Sequence, residues 1–153
     1  SCFLAVESLQ DPGNLGTMLR AGEGAGLSAI LANRGTVDIY NPKVIRATMG
    51  SIFRVPVVYA DDWLAALREL SANHVSLYAA ALQASVPYDS IDYPEKTAFL
   101  IGNEAAGLTA ETIAMADQSI HIPMLGQVES LNAAVAASVL LYERARQRRR
   151  GTR

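Results

Sequence analysis

Residues 122–132 read IPMLGQVESLN, and residues 133–143 continue AAVAASVLLYE. An apolar run stops at a proline, passes through Gly126 and a set of small polar side chains, and then enters an alanine-rich helix. That is the pattern of a buried strand leaving the core through a loop before the chain turns back as a helix. Ser130 or Asn132 would cap that helix, since a side-chain oxygen at this position accepts from the first free amides. One cap accounts for one of the two residues and leaves the other to be explained, so the loop also reads as a binding segment. The small side chains of AAVAAS allow a second backbone or helix to approach closely.

Working outward, hydrophobic runs alternate with helical patterns along the chain. CFLAVE (2–7), SAILA (28–32), VSLYAAAL (75–82), TAFLIGN (97–103) and SIHIPM (119–124) read as short buried strands. FRVPVVYA (53–60) reads as extended, and Pro56 argues against a centrally paired position. NLGTMLRAGEGAG (14–26) and TAETIAMAD (109–117, with Thr109 as cap) read as helices. So do NPKVIRATMG (41–50), opened by Asn41 with Pro42 in its first turn, and the amphipathic DDWLAALRELSAN (61–73), with an acidic first turn. The last helix is expected over 130–150. Alternation of this kind predicts an α/β domain with a mainly parallel sheet flanked by helices.

Composition narrows the function. The 153 residues suit one domain, half of them are hydrophobic, and the net charge of −2 gives no global basic footprint for nucleic acid. The charge is uneven, because residues 144–153 read RARQRRRGTR. That run can hold phosphates; it is equally a solvated helix end whose cations suit the helix dipole. The single Cys2 excludes an internal disulfide and a cysteine metal cluster, and His74 and His121 lack ligand spacing. No metal is expected. The sequence shows no signal-peptide pattern, which with the lack of disulfides points to a reducing compartment, most simply the cytoplasm.

In open parallel sheets, ligands sit at the carboxyl ends of strands. Three segments placed there are rich in Gly, Asn, Glu and Ser: SLQDPGNLG (8–16), GNEAAGL (102–108) and PMLGQVESLN (123–132). In the first, Asn14 can cap the helix, while Arg20, nearly two turns on, is directed at a partner or a site. In the second, Glu104 leaves a buried strand, where a carboxylate needs partners. The glycines of AGEGAG (21–26) have the wrong spacing and setting for a dinucleotide loop. No Ser-His-Asp order emerges either, since neither histidine belongs to the polar segments.

Together these blocks resemble a known family. DPGNLGTMLRAGEGAG, NPKVIRATMGSIFRVPV, LIGNEAAGL and IPMLGQVESLNAAVAASVLLYE are similar, in order and spacing, to the conserved blocks of SpoU-type (TrmH-like) RNA methyltransferases of the SPOUT superfamily. The similarity runs from about residue 3 to residue 143, and only 61–96 carries little of it. It implies a single catalytic domain over 1–153 with a deep trefoil knot in its C-terminal half, a rare exception to unthreaded connections. It implies S-adenosylmethionine as cofactor, with Leu82, Gly102, Asn103, Ile122, Met124 and Leu131 around it. It implies Asn14, Arg20, Glu104, Ser130 and Asn132 as the active-site polar set. It further implies a homodimer built on helices 14–26 and 131–149, acting on ribose 2′-hydroxyls of ribosomal or transfer RNA. Many members carry an RNA-binding domain before this unit, whereas this sequence starts at its first strand. Two other readings remain open: a non-catalytic RNA-binding or assembly module on the same fold, and a base methyltransferase.

Overall fold

A computed structural model describes residues 1–151. Seven strands and five α-helices alternate in it: β1 (Cys2–Val6), α1 (Pro12–Gly24), β2 (Ala29–Asn33), α2 (Pro42–Thr48), β3 (Val57–Ala60), α3 (Trp63–Ala72), β4 (Ser76–Ala80), β5 (Ser85–Pro87), β6 (Thr97–Ile101), α4 (Ala110–Met115), β7 (Gln118–His121) and α5 (Ala133–Gly151). The strands form one sheet in the order β3-β2-β1-β6-β4-β7-β5. Every pairing is parallel. The chain reaches the β5 edge, returns to insert β6 between β1 and β4, and then inserts β7 between β4 and β5.

Successive side chains of a strand point to opposite faces, and two apolar layers result. Leu4, Val6, Ile30, Phe99 and Ile120 pack with Leu15 and Leu19 of α1, Val44 of α2 and Leu140 of α5. Ala5, Leu77, Ala79, Ala98 and Leu100 face the other way, with Leu67 of α3 and Ile113 of α4. All five residues of β6 are buried, as both its faces are covered, which explains its unbroken apolar sequence. The α1 and α2 helices approach so closely that a Cβ on Gly16 would lie 2.3 Å from Ala47 Cβ and 2.9 Å from the Val44 carbonyl oxygen.

Local chemistry sets the helix starts, in places differently from expectation. Asp11, not Asn14, caps α1: its side chain accepts from Asn14 N, with Pro12 at the first helical turn. Asn41 caps α2 and Thr109 caps α4 as expected. The carboxylate of Asp62 caps α3 rather than lying in an acidic first turn. Asn132 caps α5, accepting from Ala134 N at 2.8 Å and Val135 N at 3.2 Å, so the helix starts at Ala133 and Ser130 stays in the loop. Phe53, expected to start an extended run, ends a 3₁₀ turn over residues 51–53, and β3 is an edge strand beginning just after Pro56. Strand β7 ends at His121, which leaves Ile122, Pro123 and Met124 in the loop. The three-residue β5 was not anticipated.

Candidate active site at the carboxyl edge of the sheet

The strand ends around β4, β6 and β7 enclose a cavity of about 440 Å³. Its walls come from Leu82 and Gln83 after β4, Gly102–Leu108 after β6, His121, Ile122 and Met124 at the end of β7, and Glu129–Leu131 before α5, over an apolar floor of Ile101, Ile120 and Leu140. All six residues expected around a cofactor (Leu82, Gly102, Asn103, Ile122, Met124, Leu131) therefore line one cavity, with Glu104 and Ser130. The volume lies in the ordinary range for small-molecule sites, and apolar walls with few polar groups are typical of them.

The 102–108 segment is a tight turn. Asn103 N donates to the Gly107 carbonyl at 3.2 Å and Gly107 N donates back to Asn103 at 2.9 Å. Asn103 Oδ1 accepts from the amides of Ala105 and Ala106, both at 2.9 Å. Gly107 has φ +71°, and a Cβ on Gly102 would lie 2.2 Å from the Gly107 carbonyl carbon. Glycine is required at both places, for a left-handed backbone at one and for close backbone approach at the other.

The turn is tied to the first loop through Glu104. Its carboxylate accepts from Asp11 N at 2.9 Å, Gln10 N at 3.1 Å and Asn14 Nδ2 at 3.4 Å. Partial burial pushes the carboxyl pKa up, but the backbone amides of Asp11 and Gln10, its own amide and the Asn14 side chain outweigh this and hold it below the ordinary value. Asn14, itself buried, accepts through Oδ1 from Asn132 Nδ2 at 3.0 Å. One chain of hydrogen bonds, Asn132 to Asn14 to Glu104, thus links all three polar loops. Neither Asn14 nor Asn132 lines the cavity. Arg20 is separate: it lies on the exposed face of α1, lines no part of the cavity and has no hydrogen-bond partner among the described residues.

Three supports were missed in the sequence. Ser8 holds φ +56°, a costly conformation for a non-glycine residue. It is fixed by Asn33, whose Oδ1 accepts from Ser8 N at 2.7 Å, and by Asn103 Nδ2, which donates to the Ser8 carbonyl at 2.8 Å. Buried Glu7 accepts from Thr109 N at 2.8 Å and from the hydroxyls of Thr109 and Thr112, fastening the start of α4 to the end of β1. His121, expected outside the polar loops, lines the cavity. The only signal for these residues was a polar side chain at the end of an apolar strand. No group of His, Cys, Asp and Glu among the described residues is arranged to hold a metal ion.

Comparison with known proteins places this geometry. Residues 1–142 match the SpoU rRNA Methylase family. The chain is 43% identical over 145 residues to the 23S rRNA (guanosine(2553)-2′-O)-methyltransferase RlmP of Bacillus subtilis, covering 91% of this chain and 56% of that protein. It is 34% identical over 143 residues to the 23S rRNA (uridine(2479)-2′-O)-methyltransferase of Streptomyces viridochromogenes, covering 90% of this chain and 50% of that protein. The chain thus spans only about half the length of these relatives. Among solved structures, the AdoMet-bound rRNA methyltransferase from Sinorhizobium meliloti superposes with a TM-score of 0.91 at 37% identity, covering 95% of this chain and 56% of that one. With the matched profile, the identities and the superposition in agreement, this chain belongs to the SpoU rRNA methylase family.

Proposed function

We propose that this chain is the catalytic domain of an S-adenosylmethionine-dependent RNA methyltransferase that modifies a ribose 2′-hydroxyl, with ribosomal RNA favoured over transfer RNA by the names of its relatives. The carrying observation is the convergence of the 102–108 and 122–132 loops, with Leu82, on one cavity, and the bonds from Gln10, Asp11 and Asn14 to Glu104 that tie the first loop to its wall. The cavity suits the cofactor. Ile101, Ile122 and Leu140 offer apolar surface to a flat base, while Glu129, Ser130 and the exposed backbone of the turns offer partners to hydroxyl and amino groups. The insertion of β6 and β7 into the sheet after β5 supports a deep trefoil knot around this cavity. The single Cys2, which leaves no internal disulfide, suits a reducing compartment, most simply the cytoplasm.

Bound S-adenosylmethionine supplies an electrophilic methyl group on a sulfonium centre. The protein has to hold the attacking oxygen in line, at about 3 Å, and ease the departure of its proton. Arg20 suits a fixed cation at that oxygen. A guanidinium stays protonated in proteins, so it stabilises the developing oxyanion and grips a neighbouring phosphate through its planar fork. The proton is released to phosphate oxygen or water. Glu104, Asn14 and Asn132 keep the loops in register, and Ser130 meets substrate or cofactor at the rim.

Arg20 reaches a cavity it does not line by crossing a homodimer interface. Thr17 and Arg20 on α1, beside Val135 and Tyr142 on α5, each of the latter 47% exposed, form the open face for a second copy. Incubation of the chain with ribosomal RNA and labelled S-adenosylmethionine, then digestion to nucleosides, tests the reading. A 2′-O-methylnucleoside is expected. A base-methylated nucleoside would overturn ribose specificity, and a chain that binds RNA and transfers nothing would leave the binding-module reading.

A further inference from the structure

The segment between β4 and β5 forms the outer wall of the cavity through Ala81, Leu82 and Gln83. Beyond the bond from Ala81 N to the Ile120 carbonyl at 3.1 Å, little holds it there. Leu82 is 69% exposed, Ala84 sits at φ +51°, and the strand that follows is a three-residue edge strand paired only with β7. Side chains supply the missing tie. Ser85 Oγ donates to the Leu82 carbonyl at 2.6 Å, closing the turn. His121 Nδ1 lies 2.8 Å from the same Oγ, across the β5–β7 pairing that sets Pro87 opposite His121.

A hydroxyl has one proton to give. Here it goes to Leu82, so Ser85 Oγ must accept from His121, and Nδ1 must carry the hydrogen. That fixes the ring: Nδ1 is the donor and, in the neutral imidazole, Nε2 is the acceptor. We propose that His121 and Ser85 act as positioning residues, a two-bond relay that clamps the Leu82–Ala84 turn as a wall of the cavity and so sets the affinity for S-adenosylmethionine. The inference rests on the reading of this cavity as the cofactor site. Nothing in the blocks that carry the family resemblance required a histidine or a serine at these positions.

The relay makes distinct demands on substitutions. His121→Asn keeps an N–H close to the place of Nδ1, His121→Gln puts its amide nearer Nε2, and Ser85→Ala removes the middle hydroxyl. Equilibrium dialysis with S-adenosylmethionine is expected to give a Kd raised about three- to tenfold for Ser85→Ala and for His121→Gln, the range that one lost hydrogen bond produces. The double variant should be no weaker than either single one, and His121→Asn should restore most of the affinity. Nitrogen-15 spectra of the full chain should show His121 protonated at Nδ1 and bare at Nε2, independently of any ligand. A bare Nδ1, or a Ser85→Ala chain with wild-type affinity, overturns the relay while leaving the cofactor site intact. A folded wild-type chain that takes up no S-adenosylmethionine removes the site itself, and the proposal with it.

Discussion

Asn14 uses both ends of its amide, donating to Glu104 and accepting from Asn132, and this explains why a residue that looked like a helix cap is buried beside one. Glu104→Gln places a donor where the Asp11 and Gln10 amides need an acceptor. Methyl transfer should fall by about ten- to a hundredfold, the cost of a charged hydrogen bond lost, as measured by single-turnover kinetics. The same carboxylate predicts an acid limb. Its folded pKa lies below the reference 4.5, so the stability it adds is complete above that value and fades as pH falls through the lower, folded pKa. Urea unfolding followed from pH 7 to pH 3 should show a shallower acid loss for Glu104→Gln than for wild type, with the remainder from groups such as Glu143, which hydrogen bonds from Arg146 hold low. Arg20 behaves differently, because it lies outside the cavity. Arg20→Lys should leave cofactor affinity unchanged and lower kcat, since an ammonium cannot form the planar fork. A kcat equal to wild type would remove the clamp. The sequence marked Asn14, Glu104 and Asn132 as polar residues in loops, yet their mutual bonds span 90 and 118 residues of chain, and no local pattern reports such partners.

Elements were the most legible level, for reasons that also explain the errors. Buried strands such as β6 carry continuous apolar runs, and α3 carries a helical apolar period; both signals survive any change of neighbours. The short edge strand β5, SVP, has neither signal and exists because β7 offers it a ladder. The start of α5 was placed three residues early because Ser130, Leu131 and Asn132 fit a helical pattern until Asn132 turns its side chain onto the amides of Ala134 and Val135. Asn14 lost the cap position to Asp11 because Pro12 favours the first turn of a helix. Glycine at the α1–α2 crossing belongs to this scale as well. Gly16→Ala sets a methyl group against Ala47 and the Val44 carbonyl, so the helices must part; a loss of about 1–3 kcal/mol is expected in chemical denaturation.

For the whole molecule, the strand order decides where chemistry is possible. Placing β6 and β7 inside the sheet brings loops from residues 8–16, 102–108 and 122–132 to one edge, and no composition or period could have announced that order. The resemblance to the family implied a C-terminal knot but no strand order. Charge at this scale is partly structural. Arg144 of the arginine-rich end is buried and donates to the carbonyls of Ser1 and Glu95, while Arg146 pairs with Glu143 at 2.6 Å. Part of the run therefore anchors α5 to the amino-terminal edge of the sheet rather than waiting for phosphate.

On the proposed reading, the turns after β4 and β6 and the loop before α5 build a site for S-adenosylmethionine. Calorimetric titration of the wild-type chain and of Gly102→Ala with S-adenosylmethionine and its demethylated product tests it most directly. Saturable binding in the micromolar range is expected of the wild type. Loss of that binding is expected in Gly102→Ala, whose added methyl would collide with the Gly107 and Leu108 backbone and open the turn. A folded wild-type chain that gives no heat of binding with either compound would contradict this reading.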